Sequence, residues 1–315
     1  MNADHTPPAA IELINLTRRF GRTVAVDDVT LGIPAGTTCG FIGLNGAGNT
    51  TTLRMLVGLL APTAGAIRVA GCPMPAEHQL AKLRIGYVPD RPTVYSWMRV
   101  REAVAFCRSL YGPAWNQPRC DEVMKTLRLP PDRRVKHLSK GEGAKLSLLL
   151  AIGHDPEVLI LDEPTGGFDV LARDEFLEGL LNVTTTQRDT GRARTVLFSS
   201  HALGDVQRLA DSVAILHQGK LLLHRPLEQF LETTKRIRSV LEESTATVAP
   251  PGTVHQRISG REWIVTVKDF SPDQVEFIRS KNHVQRIDVM NVTLDEAFRD
   301  YVRGEESPET EAVMS

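Results

Sequence analysis

The sequence predicts an α/β protein, a mainly parallel sheet flanked by helices, followed by a small C-terminal α+β domain. Three observations carry that prediction. Residues 38–42, 158–161 and 213–216 are short, unbroken apolar runs, as expected of strands buried on both faces. Between such runs the apolar residues fall at helical spacing, as in Leu53, Leu56, Val57 and Leu60. After about Leu223 the pattern changes to shorter mixed elements punctuated by Pro250, Pro251 and Gly252. Strands alternating with helices make βαβ units, hence a parallel sheet.

Taken in order, residues 1–10 carry Pro7 and Pro8 and no periodicity, which predicts a disordered leader. Residues 11–16 and 24–33 read as strands about a turn at Gly21. The strand at 38–42 enters a glycine-rich segment, and a helix is expected over 50–60. Residues 100–129 are mostly helical, and 146–152 continue a second apolar helix. Strands are expected at 158–161, 194–199 and 213–216. The large domain is thus placed at 11–223 and the accessory domain at 224–303. Within the latter, helices are expected at 227–237, 272–281 and 294–302, and strands at 259–267 and 284–289. Residues 304–315 are polar and acidic and predict a disordered tail.

Composition narrows the function. A 42% hydrophobic and 24% charged chain is an ordinary globular protein, and a net charge of −1 supplies no global basic field for nucleic acid. The four cysteines, Cys39, Cys72, Cys107 and Cys120, lack metal-ligand spacing and read as reduced thiols. There is no apolar run long enough to cross a bilayer, so a cytoplasmic location is expected.

The segment Gly43-Leu44-Asn45-Gly46-Ala47-Gly48-Asn49-Thr50-Thr51 lies between a predicted strand and a predicted helix, the context of a phosphate loop. Its glycines let successive N–H groups point inward around anionic oxygens, and the helix adds its positive end. Thr50 stands where a hydroxyl would reach Mg2+. The lysine position of the motif holds Asn49, whose amide donates hydrogen bonds but carries no charge. On its own the segment also fits a plain strand-to-helix turn.

Further motifs follow in order: Leu138-Ser139-Lys140-Gly141-Glu142, the apolar run 158–161 ending in Asp162-Glu163-Pro164, then Gly167-Phe168-Asp169, and Ser199-Ser200-His201. Their order and spacing over about 11–223 resemble the ATP-binding cassette family. Singly, His201 reads as a loop residue and Phe20 as a core aromatic; the set reads as the family.

The resemblance implies a P-loop NTPase fold, an ATP hydrolase with ATP and Mg2+ as cofactors, and a role for each matching position. Asp162 orients Mg2+ together with Thr50, with Asp90 where the family has its Q-loop glutamine. Glu163 polarises the attacking water, and His201 contacts the terminal phosphate. Phe20 stacks on adenine, and Asp169 communicates between two sites of a dimer. The turn Ser139-Lys140-Gly141-Glu142 faces the nucleotide held by a second cassette, a homodimer by default. Ser139 and Glu142 also form the spacing of a helix capping box. Lys140 either offsets the charge missing at Asn49 across that dimer or faces solvent.

The implied protein is similar to the cassettes of bacitracin and antibiotic exporters. It would be the ATP-binding subunit that drives export through a separate transmembrane permease, peripheral on the inner face of the cell membrane. The alternative is a hydrolysis-deficient regulatory subunit, because of Asn49. No nucleic-acid partner is expected. Residues 91–98, rich in large apolar groups, either receive a helix of the permease or pack into the domain's own core.

Overall fold

The computed structural model describes residues 8–91, 93–185, 191, 193–242 and 247–306. By its contacts the chain divides into two units, Met1–His224 and Arg225–Ser315.

The first unit holds two sheets. One is antiparallel: β1 (Ala9–Phe20), β2 (Thr23–Pro34), β4 (Ala64–Val69) and β5 (Cys72–Met74), in the order β2-β1-β4-β5. The other has six strands: β3 (Thr38–Gly43), β6 (Ile85–Val88), β7 (Val158–Leu161), β8 (Thr195–Ser200), β9 (Ser212–His217) and β10 (Lys220–Pro226). Their order is β10-β9-β3-β8-β7-β6, with β9, β3, β8, β7 and β6 paired in parallel. The sheet content is therefore mixed, and the expectation of a mainly parallel sheet is corrected to that extent. The parallel strands show as continuous apolar runs because both faces are covered. The antiparallel ones bury alternate residues, such as Leu31 and Ile33 of β2, and β4 begins with too much alanine and glycine to signal a strand.

Seven α-helices cover this unit among the described residues: α1 (Asn49–Leu56), α2 (His78–Lys82), α3 (Val100–Tyr111), α4 (Gln117–Thr126), α5 (Lys140–Ile152), α6 (Val170–Thr185) and α7 (Leu203–Leu209). Helix α1 stops at Leu56, short of the expected 60, because Gly58 turns the chain at φ 74°. The core joins Phe41, Leu53, Leu56, Val158, Ile160 and Leu197 to the inner face of the antiparallel sheet.

The second unit contains α8 (Leu227–Thr233), β11 (Lys235–Leu241), β12 (Thr253–Ser259), β13 (Glu262–Val267), α9 (Pro272–Lys281), β14 (Val284–Asn291) and α10 (Leu294–Glu306). The antiparallel order is β12-β13-β11-β14. Trp263, Val265 and Val267 face Ile278 of α9, whereas Thr266 on the opposite face donates to Asp300 of α10 at 2.5 Å. The sheet is thus sandwiched between two helices.

Two expectations fail here. The helix read over 227–237 ends at Thr233, since Thr234 is extended and the chain then alternates, burying Ile237, Ser239 and Leu241. The strand read over 259–267 is a hairpin, β12 and β13, turning at Gly260 with φ 61°. At the ends, residues 1–7 and 307–315 lie outside the described residues. Ala9 and Ala10 belong to β1, Ala9 pairing with Pro34, and α10 runs on to Glu306, so residues 9–10 and 304–306 are ordered elements rather than leader and tail.

Candidate functional site

Strand β3 delivers the chain into the loop 44–48, and α1 starts at Asn49. Gly46 and Gly48 take φ values of 84° and 109°, which favour glycine. A Cβ on Gly48 would lie 2.6 Å from the Ala25 carbonyl, and one on Gly43 would lie 2.6 Å from Ala47 and 2.8 Å from the Leu216 carbonyl. The curl is therefore possible only without side chains there. No side chain caps α1, which leaves its first-turn N–H groups open toward an anion.

Asn49 turns its amide back toward the Phe41 carbonyl, a long 3.5 Å contact, while its Oδ1 is buried without a partner. Residues 43–51 carry no positive side chain. Arg54, one helical turn beyond Thr50, is exposed and pulls Asp162 toward ionisation from a distance.

The opposite wall is formed where β7 and β8 end. Asp162 is fully buried. Its Oδ1 accepts from Thr50 Oγ1 and from Ser199 Oγ, each at 3.0 Å, while its Oδ2 has no partner. Burial holds its carboxyl above the usual range, with the two hydroxyl bonds opposing that rise. Ser199 also accepts from the Glu163 backbone N–H at 2.9 Å, so one hydroxyl sets both acids. Glu163 adopts φ 46°, a costly conformation for a non-glycine residue that functional sites often retain. Its Oε2 meets His201 Nδ1 at 2.7 Å. Thr50 and Asp162 together offer hard oxygen ligands, and the orphaned Oδ2 leaves a coordination direction open; the donor set suits Mg2+.

Behind this wall Asp205, 2% exposed, accepts from Thr165 Oγ1 and Arg173 Nε, both at 2.6 Å. It ties the loop after β7, the start of α6 and helix α7. Sequence reading missed the roles of Ser199, Thr165, Arg173 and Asp205. Ser199 lies inside a quoted motif and Thr165 directly after one, but their partners are 36 to 40 residues away and leave no local signal.

The remaining candidates occupy other places. Ser139 caps α5 and Glu142 closes the capping box at 2.9 Å, with Arg133 neutralising the Glu142 carboxylate at 2.7 Å. Gly141 is buried against Ala172. Lys140 lays its amine over Gly167, 2.6 Å from where a Cβ would stand, and pairs with no carboxylate among the described residues. No hydrogen bond or ion pair joins this turn to the loop 44–48 within the chain, among the described residues. Asp169 caps α6, its Oδ1 accepting from Ala172 N at 2.9 Å. Asp90 is exposed after β6 and opposes Asp162 ionisation from a distance. Asn45 and Thr51 flank the curl, and Phe20 ends β1 half exposed.

Of the segment 91–98, Met98 is buried, whereas Tyr95 and Trp97 stack at the surface with ring centroids 5.8 Å apart. They adjoin a cavity of about 410 Å³ lined by Tyr87, Phe106, Leu110 and Tyr111, among others; Lys82 and His78 also line it, but no acid does among the described residues.

The family model for ABC transporter matches residues 26–166. The bacitracin transport ATP-binding protein BcrA of Bacillus licheniformis is 30% identical over 306 residues, 92% of this chain and 95% of that protein. The chain belongs to the ABC transporter family. Its ATP-binding subunits bind ATP, typically with Mg2+, form dimers and work with a transmembrane permease. The Nod factor export ATP-binding protein I of Paraburkholderia xenovorans is 35% identical over 218 residues, 68% of this chain and 70% of that protein. Among solved structures, an ATP-binding subunit of an ABC transporter is 27% identical, with a TM-score of 0.61 over 70% of this chain and 90% of that one. The dimeric cassette MJ0796 bound to ADP and Pi, at 21% identity and a TM-score of 0.60, covers 69% of this chain and 98% of its own and shares the fold. The chain is thus an ABC ATP-binding subunit, and among its described residues no helix is long and apolar enough to cross a membrane.

Proposed function

We propose that this subunit couples ATP binding and hydrolysis to substrate export through a separate permease, as a homodimer on the inner face of the cell membrane. The observation that carries the reading is the ordered acid wall: Asp162 fixed by Thr50 and Ser199, with Glu163 beside it and His201 within hydrogen-bond reach. When bound, Mg2+ would neutralise phosphate charge at Thr50 and Asp162. On this reading Glu163 accepts a proton from a water, and the His201 contact orients that carboxylate. Export is favoured by relatives named for bacitracin transport and Nod factor export. The surface pair Tyr95 and Trp97, beside an apolar cavity lined by Lys82 and by no acid among the described residues, suits an apolar and acidic segment of the permease. Roles at Gly43 to Thr51, Asp90, Ser139 to Glu142 and Asp169 belong to the same reading.

A second reading has its own observation. Asn49 reaches back toward the Phe41 carbonyl and brings no charge; on this reading the chain binds nucleotide but barely hydrolyses it. Titration with Mg-ATP and an assay of phosphate release separate the two. Turnover by the purified chain supports the motor; stoichiometric binding without turnover, restored by Asn49→Lys, supports the regulatory subunit. Failure to bind ATP at millimolar Mg2+ would sink both.

A further inference from the structure

The β1–β2 turn contains an arrangement that the reading above does not use. Residues two apart on a strand share a face, and here Arg18 lies beside Phe20. The guanidinium carbon stands 4.5 Å from the centre of the ring. Arg18 Nη1 donates to the Ala61 carbonyl at 2.8 Å, which anchors the side chain from the far end of the loop before β4. Its Nε is buried with no partner, and no carboxylate pairs with it among the described residues. Its charge is therefore directed at the ring rather than quenched by an acid.

The ring is also in the right neighbourhood. Phe20 pairs with Thr23 across the turn. Two residues further along β2, roughly 7 Å of strand, the Ala25 carbonyl abuts Gly48 of the phosphate-loop curl. An aromatic face that is half open thus stands a short reach from an anion cradle.

We propose that Arg18 is a positioning residue for the nucleobase: it clamps Phe20 as the lower layer of a stacked platform whose free face takes a purine. This rests on the nucleotide reading and adds a residue to it. Two effects act together. A clamped ring loses less freedom when a base lands on it. A cation behind the ring also draws electron density from the open face, which then stacks better on an electron-rich purine.

The test is a titration of the full chain with Mg-ATP and, separately, with Mg-tripolyphosphate, which has the phosphates but no base. Arg18→Ala should weaken ATP roughly fivefold and leave tripolyphosphate unchanged. In a Phe20→Ala background the same substitution should have no further effect. Equal weakening of both ligands would mean a general charge effect and would overturn the proposal, as would unchanged ATP affinity or additivity in that background. A wild-type chain that takes tripolyphosphate but not ATP overturns it as well. One that takes neither removes the nucleotide reading itself, and the platform with it.

Discussion

The phosphate-loop wall of the site and the wall where β7 and β8 end are made by different means. The first is a backbone construction: positive-φ glycines, tight approaches to Ala25 and Leu216, and an uncapped helix start. The second is a side-chain construction, in which Ser199 and Thr50 hold Asp162 while Glu163 meets His201. The shape of the first wall survives although its expected cation is absent, and the acidic side chains expected of the second are both present. Shape and charge in such a site are therefore separable, and backbone N–H groups alone can preserve an anion cradle.

Restoring charge to the first wall is the strongest way to test that contrast. Asn49→Lys should raise phosphate release by about 100-fold, the scale of one well-placed transition-state donor, and Glu163→Gln in that background should remove the gain. If Asn49→Lys changes nothing, the two walls are not complementary. A smaller effect concerns Mg2+. With no lysine to meet the phosphates, chelating the metal should weaken ATP binding by about tenfold more in the natural chain than in Asn49→Lys; equal losses in equilibrium dialysis would count against the contrast. On the other wall, Ser199→Ala leaves the Glu163 N–H and Asp162 each short of a partner. It should lower folding stability by about 1–3 kcal/mol, measured by denaturant unfolding.

The smallest effect is in the pH response. Burial raises the Asp162 pKa, so on acidification this carboxyl gains its proton earlier than an ordinary aspartate. As the pH drops, Mg2+-dependent nucleotide affinity should then fall at a pH above the usual carboxylate midpoint. A lysine at 49 favours the ionised form and should move that fall to lower pH, by less than about one unit.

Much of this was legible in the sequence, for a physical reason: a strand, a glycine-rich turn and a helix start are local, and so are adjacent acids at the end of an apolar run. The same holds for the Ser139–Glu142 capping box, whose partners are three residues apart. What stayed hidden depends on distant pairing. The antiparallel sheet needed partners up to about 60 residues apart, as in Ile11 with Val69. The strand β11 was masked by its run of Lys, Arg and Ile, which fits a helix until its neighbours impose a period of two. The role of Arg18 was invisible because a cation over a ring is a tertiary fact.

Asp205 has a mechanical consequence. The loop leaving β7 and the loop leaving β8 are stitched at three levels: Ser199 to Glu163, His201 to Glu163, and Asp205 to Thr165. Like meshed gears, neither can turn alone without stripping a buried carboxylate of its donors. Through Arg173 the same carboxylate also holds the first turn of α6, where Val170 and Leu171 stand with three-quarters of their surface bare, 75% and 76%.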